Sequence, residues 1–153
     1  MLDLIIRNGQ CYINGELKNV DVAIKDGKIQ QIGQISDEAK EIVNAEGQTV
    51  LPGCIDTQTH FREPGSTDTE DLHSGSRAAI VGGITSVFEM PNTNPPTSTK
   101  TEFQRKLDLA KNRMYCNYAF YFGATADNAS ELADLKNLEG CCGIKLFAGS
   151  STG

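Results

Sequence analysis

From Val50 onward, short apolar runs alternate with segments of helical pattern, and this alternation constrains the fold more than any other feature. The apolar runs are "VLPGCIDTQT", "ITSVFEM", "YCNYAFYFGA" and "CCGIKLFAG". The helical segments between them are "TEDLHSGSRAAIVGG", "STKTEFQRKLDLAKNR" and "DNASELADLKNLEG". We predict that the second helix is capped by Ser98 or Thr99 and that the third begins at Asn128 or Ser130. Strands that alternate with helices in this way predict an α/β fold with parallel strands and crossover helices.

Residues 1–50 follow a different pattern, in which apolar and polar residues alternate between turn dipeptides. Asp26-Gly27 separates "VDVAIK" from "KIQQIG", which is a strong signal for a β-hairpin. We therefore predict two domains, a β-rich unit over 1–50 and an α/β unit over 51–153.

The carboxyl ends of parallel strands carry the chemistry of such folds, in the loops that lead to the helices. Four polar or charged side chains follow or end the predicted strands: His60, Arg62, Asn92 and Lys145. We expect these side chains to lie on one rim of the sheet.

Each of these residues has two interpretations. His60 is either a metal ligand or a hydrogen-bonded structural residue, and Gln58 lies two positions earlier on the same side of the strand. Lys145 stands in an apolar strand, so its ammonium either reaches the rim or is kept neutral by desolvation. A neutral amine can capture carbon dioxide, and the resulting carbamate is an anionic ligand able to bridge two metal ions.

One interpretation of Arg62 and Asn92 is that they bind a ligand. Arg62 lies on such a rim and is suited to bidentate binding of a carboxylate, the alternative being a surface ion pair. Asn92 lies in the proline-rich loop "PNTNPP", where it is either a turn residue or a hydrogen-bond partner for a ligand.

The composition of the chain excludes several classes of binding partner. The net charge of −6, without a basic run, argues against nucleic acid and anionic membranes. No apolar run reaches the roughly 18 residues of a membrane span, and the start of the chain has no secretory signal. Five cysteines without a CxxC spacing fit reduced thiols. These features predict a cytoplasmic protein with a small-molecule substrate.

Together the motifs resemble a known family. The start "DLIIRNG" followed by "TVLPGCIDTQTHFREPG" looks like the amino-terminal part of the cyclic amidohydrolases. "HFREPG", "GGITSVFEMPNTNPPT" and "GIKLFAGSSTG" are similar to dihydroorotases in particular. The resemblance implies a small β-sandwich part followed by the first four βα units of a TIM-type (β/α)₈ barrel, apparently truncated.

The resemblance also implies a site that holds one or two zinc ions. His60 matches a metal-binding histidine and Lys145 the carbamylated lysine that bridges the metals, a catalytic role. Arg62 and Asn92 match residues that hold the substrate carboxylate. Gln58 occupies the position of a second histidine ligand, so the metal site there is weak or vacant.

The implied function is that of a dihydroorotase, which interconverts dihydroorotate and N-carbamoyl-L-aspartate in pyrimidine biosynthesis. One alternative is another cyclic amidohydrolase, of the allantoinase or dihydropyrimidinase kind, although "FREPG" with "PNTNPP" speaks against it. The other is a non-catalytic homologue that serves as a structural partner subunit, for example of aspartate transcarbamoylase. We also expect a homo-oligomer.

Overall fold

The computed structural model describes residues 1–149. The chain divides into one compact unit over Met1–Pro52 and a second that begins at Gly53. No helix within residues 1–149 combines the length and the hydrophobicity that crossing a bilayer requires.

The first unit is all β. Its strands are β1 (Leu2–Arg7), β2 (Gln10–Ile13), β3 (Glu16–Asn19), β4 (Asp21–Lys25), β5 (Lys28–Gly33), β6 (Ala39–Asn44) and β7 (Thr49–Val50). They form two sheets, with strand orders β5-β4-β1-β6 and β3-β2-β7. Leu2, Ile5, Ala23 and Ile35 form a small core beneath the larger sheet.

The hairpin predicted at Asp26-Gly27 is confirmed. β4 and β5 pair antiparallel, and Asp26 and Gly27 have φ values of 50° and 71°. Left-handed backbone at both central residues is what a two-residue turn of type I′ requires, and aspartate followed by glycine adopts it at low cost.

The second unit alternates strands and helices in the predicted order. Its elements are β8 (Cys54–Thr59), α1 (Leu72–Val81), β9 (Ile84–Glu89), α2 (Lys100–Ala110), β10 (Asn117–Ala124), a 3₁₀ segment (Ala129–Asn137) and β11 (Cys141–Leu146). All neighbouring strands of this sheet are parallel, in the order β11-β10-β9-β8. The predicted fold class is therefore confirmed: a β-sandwich is followed by a parallel sheet that matches the first half of a barrel.

Side-chain caps explain where the two α-helices begin. The Asp71 carboxylate accepts the Ser74 N–H at 2.6 Å, and the Ser74 hydroxyl oxygen accepts the Asp71 N–H at 3.1 Å. Thr99 caps α2 by accepting the Glu102 N–H at 3.1 Å. These bonds satisfy donors that a helix leaves unpaired in its first turn.

The third helical segment differs from the prediction, because it is a 3₁₀ helix rather than an α-helix. Asn128 stands at its start, but its side chain does not cap it. The Asn128 side-chain Oδ1 accepts the Thr125 N–H at 2.8 Å, and its Nδ2 donates to the Ser98 and Gly123 carbonyls. The asparagine therefore binds the loop before the segment, and its first turn lacks a side-chain acceptor.

The core of the second unit lies between the sheet and the helices. It is formed by aromatic and aliphatic side chains: Phe61, Leu72, Val87, Phe103, Ala110, Cys116, Phe120, Phe122 and Leu135. Packing against this core holds the carboxyl ends of the strands, and the loops that follow them, in fixed positions.

Candidate functional site

The first pair on the rim is His60 with Asn92. His60 follows β8 directly, Asn92 follows β9, and the two strands are adjacent and parallel. The His60 Nδ1 lies 2.9 Å from the Asn92 Oδ1. Since an amide oxygen only accepts, Nδ1 is the donor in this contact, which leaves Nε2 as the ring nitrogen that faces other partners. This is how a metal-binding imidazole is commonly oriented by a neighbouring group.

Arg62 and Asn92 line the same hollow. The hollow has a volume of about 60 Å³, and its other lining residues are Pro64, Ser66, Thr93 and Asn94. The chain has turned after β8, and Arg62 itself has a left-handed φ of 60°. A guanidinium beside amide and hydroxyl groups suits an anionic oxygen ligand. Their role in holding a substrate remains a prediction.

Lys145 and Gln58 lie on the two edge strands of the sheet. Lys145 is on β11, opposite Gly123 of β10, and is half-buried, with its Nζ 5.1 Å from the centre of the Phe147 ring. Gln58 is on β8 with its side chain exposed. β9 and β10 stand between these edges, so no contact joins Lys145 to Gln58 in the sheet.

Within residues 1–149, no three or more histidine, cysteine, aspartate or glutamate side chains are grouped as a metal site. His73, the second of the two histidines in the sequence, is exposed on α1, and its Nε2 lies 3.3 Å from the Tyr115 hydroxyl. Structural and catalytic zinc sites use three or four protein ligands. Among the described residues, His60 is the one imidazole on the rim.

An ion pair not expected from the sequence lies directly beneath this rim. The Glu89 carboxylate pairs with the Lys106 ammonium, and their side chains are 1% and 0% exposed. Burial raises the pKa of Glu89 to about 7 and lowers the pKa of Lys106, because both charged forms lose their hydration, and each charge partly offsets the shift of the other.

The partners of this pair reach both rim segments. Glu89 Oε1 accepts the Phe61 N–H at 3.2 Å, and the Lys106 Nζ donates to the Met90 carbonyl at 2.9 Å. The Lys106 Nζ also lies 5.0 Å from the centre of the Phe120 ring. The pair thus contacts the chain beside His60 and the chain that leads to Asn92.

A second unpredicted carboxylate, Glu63, lies on the other side of Arg62. Glu63 is buried and accepts the Leu72 N–H at 2.9 Å. Arg113 donates to both of its oxygens, at 2.7 and 3.2 Å. Glu63 therefore joins the loop after β8 to the start of α1 and to the segment after α2.

The sequence carried a signal for one of these two ion pairs, that of Glu89 with Lys106. Glu89 interrupts the apolar run "ITSVFEM", and Lys106 lies three and four positions from the buried Phe103 and Ala110 on one face of α2. An acid in a buried strand and a base on a buried helix face have to be paired. Glu63 and Arg113 carry no such signal, because both stand in polar stretches.

Comparison with known proteins gives the family. A profile of the amidohydrolase family matches residues 49–142. Allantoinase from Escherichia coli O1:K1 / APEC is 40% identical over 146 residues, which are 95% of this chain and 32% of the relative. Allantoinase from Escherichia coli strain SMS-3-5 / SECEC is 41% identical over the same length. The chain thus spans about a third of the curated relatives it matches.

Comparison with solved structures gives enzymes of the same kind. The L-hydantoinase (dihydropyrimidinase) from Arthrobacter aurescens matches with a TM-score of 0.89 and 30% identity, over 100% of this chain and 35% of that one. The D-hydantoinase from Bacillus sp. AR9 matches with a TM-score of 0.82 and 27% identity, over 97% of this chain and 34% of that one. With the family profile covering more than half of its length, this chain belongs to the amidohydrolase family.

Proposed function

We propose that the chain forms the amino-terminal part of a cyclic amidohydrolase, an enzyme that uses water to open an amide bond in a small nitrogen-containing ring. In this reaction the C–N bond of the ring breaks, the carbonyl carbon gains an oxygen, and the ring nitrogen gains a proton. The observation that carries the proposal is the family match together with His60, Asn92 and Arg62 on one rim at the carboxyl ends of β8 and β9.

The first candidate substrate is a cyclic ureide such as allantoin or hydantoin. The relatives named allantoinase and the structures named hydantoinase support this candidate. It is the alternative that the motif resemblance placed second, and the comparisons support it better than they support a dihydroorotase.

The second candidate is dihydroorotate, which carries a carboxylate that allantoin lacks. The hollow lined by Arg62, Asn92 and Asn94 favours it, since a guanidinium beside two amides has the donors that a carboxylate needs. In this case Arg62 and Asn92 orient the substrate and transfer no proton.

We further propose that zinc binds at this rim, with the His60 Nε2 and a carbamate on Lys145 among its ligands. The remaining ligands would have to come from outside residues 1–149, because the described residues do not complete a site. Gln58 contributes at most a weak amide ligand, since zinc prefers imidazole nitrogen or thiolate.

The test is a substrate panel with the full-length protein. Allantoin, hydantoin, dihydrouracil and dihydroorotate are assayed separately with zinc present. Turnover of any ring supports the proposed class, and the ratio of kcat/KM between allantoin and dihydroorotate decides between the candidates. Absence of turnover on all four rings contradicts the proposal.

A matched pair of variants sharpens the choice. Arg62→Gln removes the guanidinium from the hollow, whereas Arg77→Gln removes one from the exposed face of α1. If dihydroorotate is the substrate, Arg62→Gln raises its KM and Arg77→Gln does not. If allantoin is the substrate, the two variants behave alike.

A further inference from the structure

The backbone of Arg62 is held from both sides by buried carboxylates. On its amino side, the Phe61 N–H donates to Glu89, which is paired with Lys106. On its carboxyl side, Glu63 accepts the Leu72 N–H and both guanidinium donors of Arg113. Arg62 is the residue between these two anchors, and it is the one with a left-handed φ of 60°.

A left-handed conformation is unfavourable for arginine, because its Cβ crowds the following carbonyl oxygen. Such a conformation persists only where the surrounding structure imposes it. Here Phe61 is buried against Gly75 and anchored to Glu89, while Glu63 is anchored to α1. With both neighbours fixed, the residue between them has to make the turn.

The same ion pair reaches the loop that carries Asn92. Lys106 donates to the Met90 carbonyl, and the Met90 N–H donates to the Thr59 carbonyl at 3.0 Å. Further along, the Asn94 N–H donates to the Pro64 carbonyl at 2.9 Å. The two loops are therefore tied to each other and to one buried pair beneath them.

We infer that Glu89 with Lys106, and Glu63 with Arg113, are positioning residues that place the side chains of Arg62 and Asn92 in one hollow. The inference rests on the proposed function, because it assigns the two pairs to substrate recognition. The pairs do not contact the substrate themselves. They act through the backbone of the residues that do.

The test separates positioning from bulk stability. Removing one member of a buried pair leaves an unpaired charge and endangers the fold, so both members of the deeper pair are replaced together by Glu89→Leu with Lys106→Met. These side chains keep the volume and remove the acceptor for the Phe61 N–H and the donor to the Met90 carbonyl. Glu63→Leu with Arg113→Met does the same for the second pair, and Glu102→Gln in the exposed pair with Arg105 is the control.

The first measurement is amide hydrogen exchange, which needs no substrate. In the Glu89→Leu/Lys106→Met chain we expect the Phe61 amide to exchange at least about tenfold faster relative to the Phe120 amide, which lies in β10 and bonds to Gly140. In the second double variant the Leu72 amide should respond instead, and in Glu102→Gln neither. An equal change at Phe61, Leu72 and Phe120 shows a general loss of stability and overturns the inference.

The second measurement is steady-state kinetics of the full-length protein on the ring that the panel identifies. Loss of positioning should raise KM by about tenfold or more and change kcat much less. Unchanged KM in both double variants overturns the inference. If no ring is turned over by the wild type, the proposed function fails, while the exchange result still decides whether the two pairs hold Phe61 and Leu72.

Discussion

At the scale of single residues, Arg62 combines an unfavourable backbone conformation with the proposed role in substrate binding. Its left-handed φ of 60° costs stability that a glycine would recover. We expect Arg62→Gly to change the free energy of unfolding by less than about 1 kcal/mol, because the relief of strain offsets the entropy of glycine. The same change at Arg77, in the middle of α1, should cost about 1 kcal/mol.

Urea denaturation of the two variants measures this difference. If the substrate bears a carboxylate, Arg62→Gly should also lower kcat/KM by about 10- to 150-fold, the worth of a charge-assisted bond of roughly 1.5–3 kcal/mol. A loss of stability as large as that of Arg77→Gly would show that Arg62 serves the fold rather than the hollow.

Gln58 permits a test of the metal proposal at one position. Its side chain is exposed on β8, so a histidine there strains nothing in the described structure. Because imidazole binds zinc more strongly than an amide, Gln58→His should raise the zinc that the full-length protein retains after dialysis. Atomic spectroscopy measures it, and Gln104→His on the exposed face of α2 is the control.

The outcomes of this metal analysis differ in what they support. Equal zinc in wild type and Gln58→His would mean that Gln58 already serves as a ligand. Zinc in neither protein would favour the non-catalytic homologue over the enzyme.

The sequence predicted which residues share the rim but not what holds them there. His60, Arg62, Asn92 and Lys145 were predicted on one rim because they follow or end successive strands, which needs only the order of elements. Asn92 contacts His60 and lines one hollow with Arg62, whereas no contact within residues 1–149 joins Lys145 to these three. The sequence indicated that a buried Glu89 needs a partner, but it did not indicate how the partner, Lys106, holds the rim. Glu63 gave no such signal, because its partner Arg113 stands 50 residues further along the chain. Such pairs depend on how helices pack, which local pattern does not determine.

At the scale of elements, α1 packs against the rim through a glycine. A Cβ built on Gly75 would lie 2.5 Å from the Cδ1 of Phe61. In an open helix, Gly→Ala gains up to about 1 kcal/mol, whereas overpacking a core costs about 1–3 kcal/mol. The cost outweighs the gain, so we expect Gly75→Ala to lower the free energy of unfolding by about 1–2 kcal/mol.

Chemical denaturation checks this, with Gly149→Ala as the control, since nothing lies within 4 Å of a Cβ built there. Because Phe61 must move, its amide should also exchange faster. A gain in stability from Gly75→Ala would show that the Phe61 ring moves aside freely and that α1 does not fix the rim.

Most elements of the second unit follow from sequence periodicity and caps. The four parallel strands and both α-helices lie where alternating runs and capping residues indicate. The 3₁₀ segment was predicted as an α-helix from the pattern of "DNASELADLKNLEG", with Asn128 or Ser130 at its start. The Asn128 side chain instead accepts the Thr125 N–H and donates to the Ser98 and Gly123 carbonyls. These bonds depend on how the loops around Ser98 and Gly123 are folded.

At the scale of the whole molecule, the parallel sheet has two edges, β8 and β11. Apolar side chains are exposed along both: Ile55 is 60%, Ile144 is 45% and Leu146 is 66% exposed. Parallel sheets are normally covered on both faces, and a closed barrel has no edges. Exposed apolar edges of this kind are what the first four strands of an eight-stranded barrel would present.

We therefore expect residues 1–153 alone to show no zinc-dependent turnover of any ring amide. We also expect this chain to self-associate, because unpaired edge strands with apolar side chains pair with other chains. Sedimentation velocity at increasing concentration measures association, and Ile55→Lys with Leu146→Lys should reduce it by placing charge on both edges. Val81→Lys, at an 84% exposed apolar residue of α1 away from the edges, is the control and should leave association unchanged. A chain that stays monomeric at every concentration, or that hydrolyses allantoin or dihydroorotate with zinc, would show that these 153 residues form a complete unit without further strands.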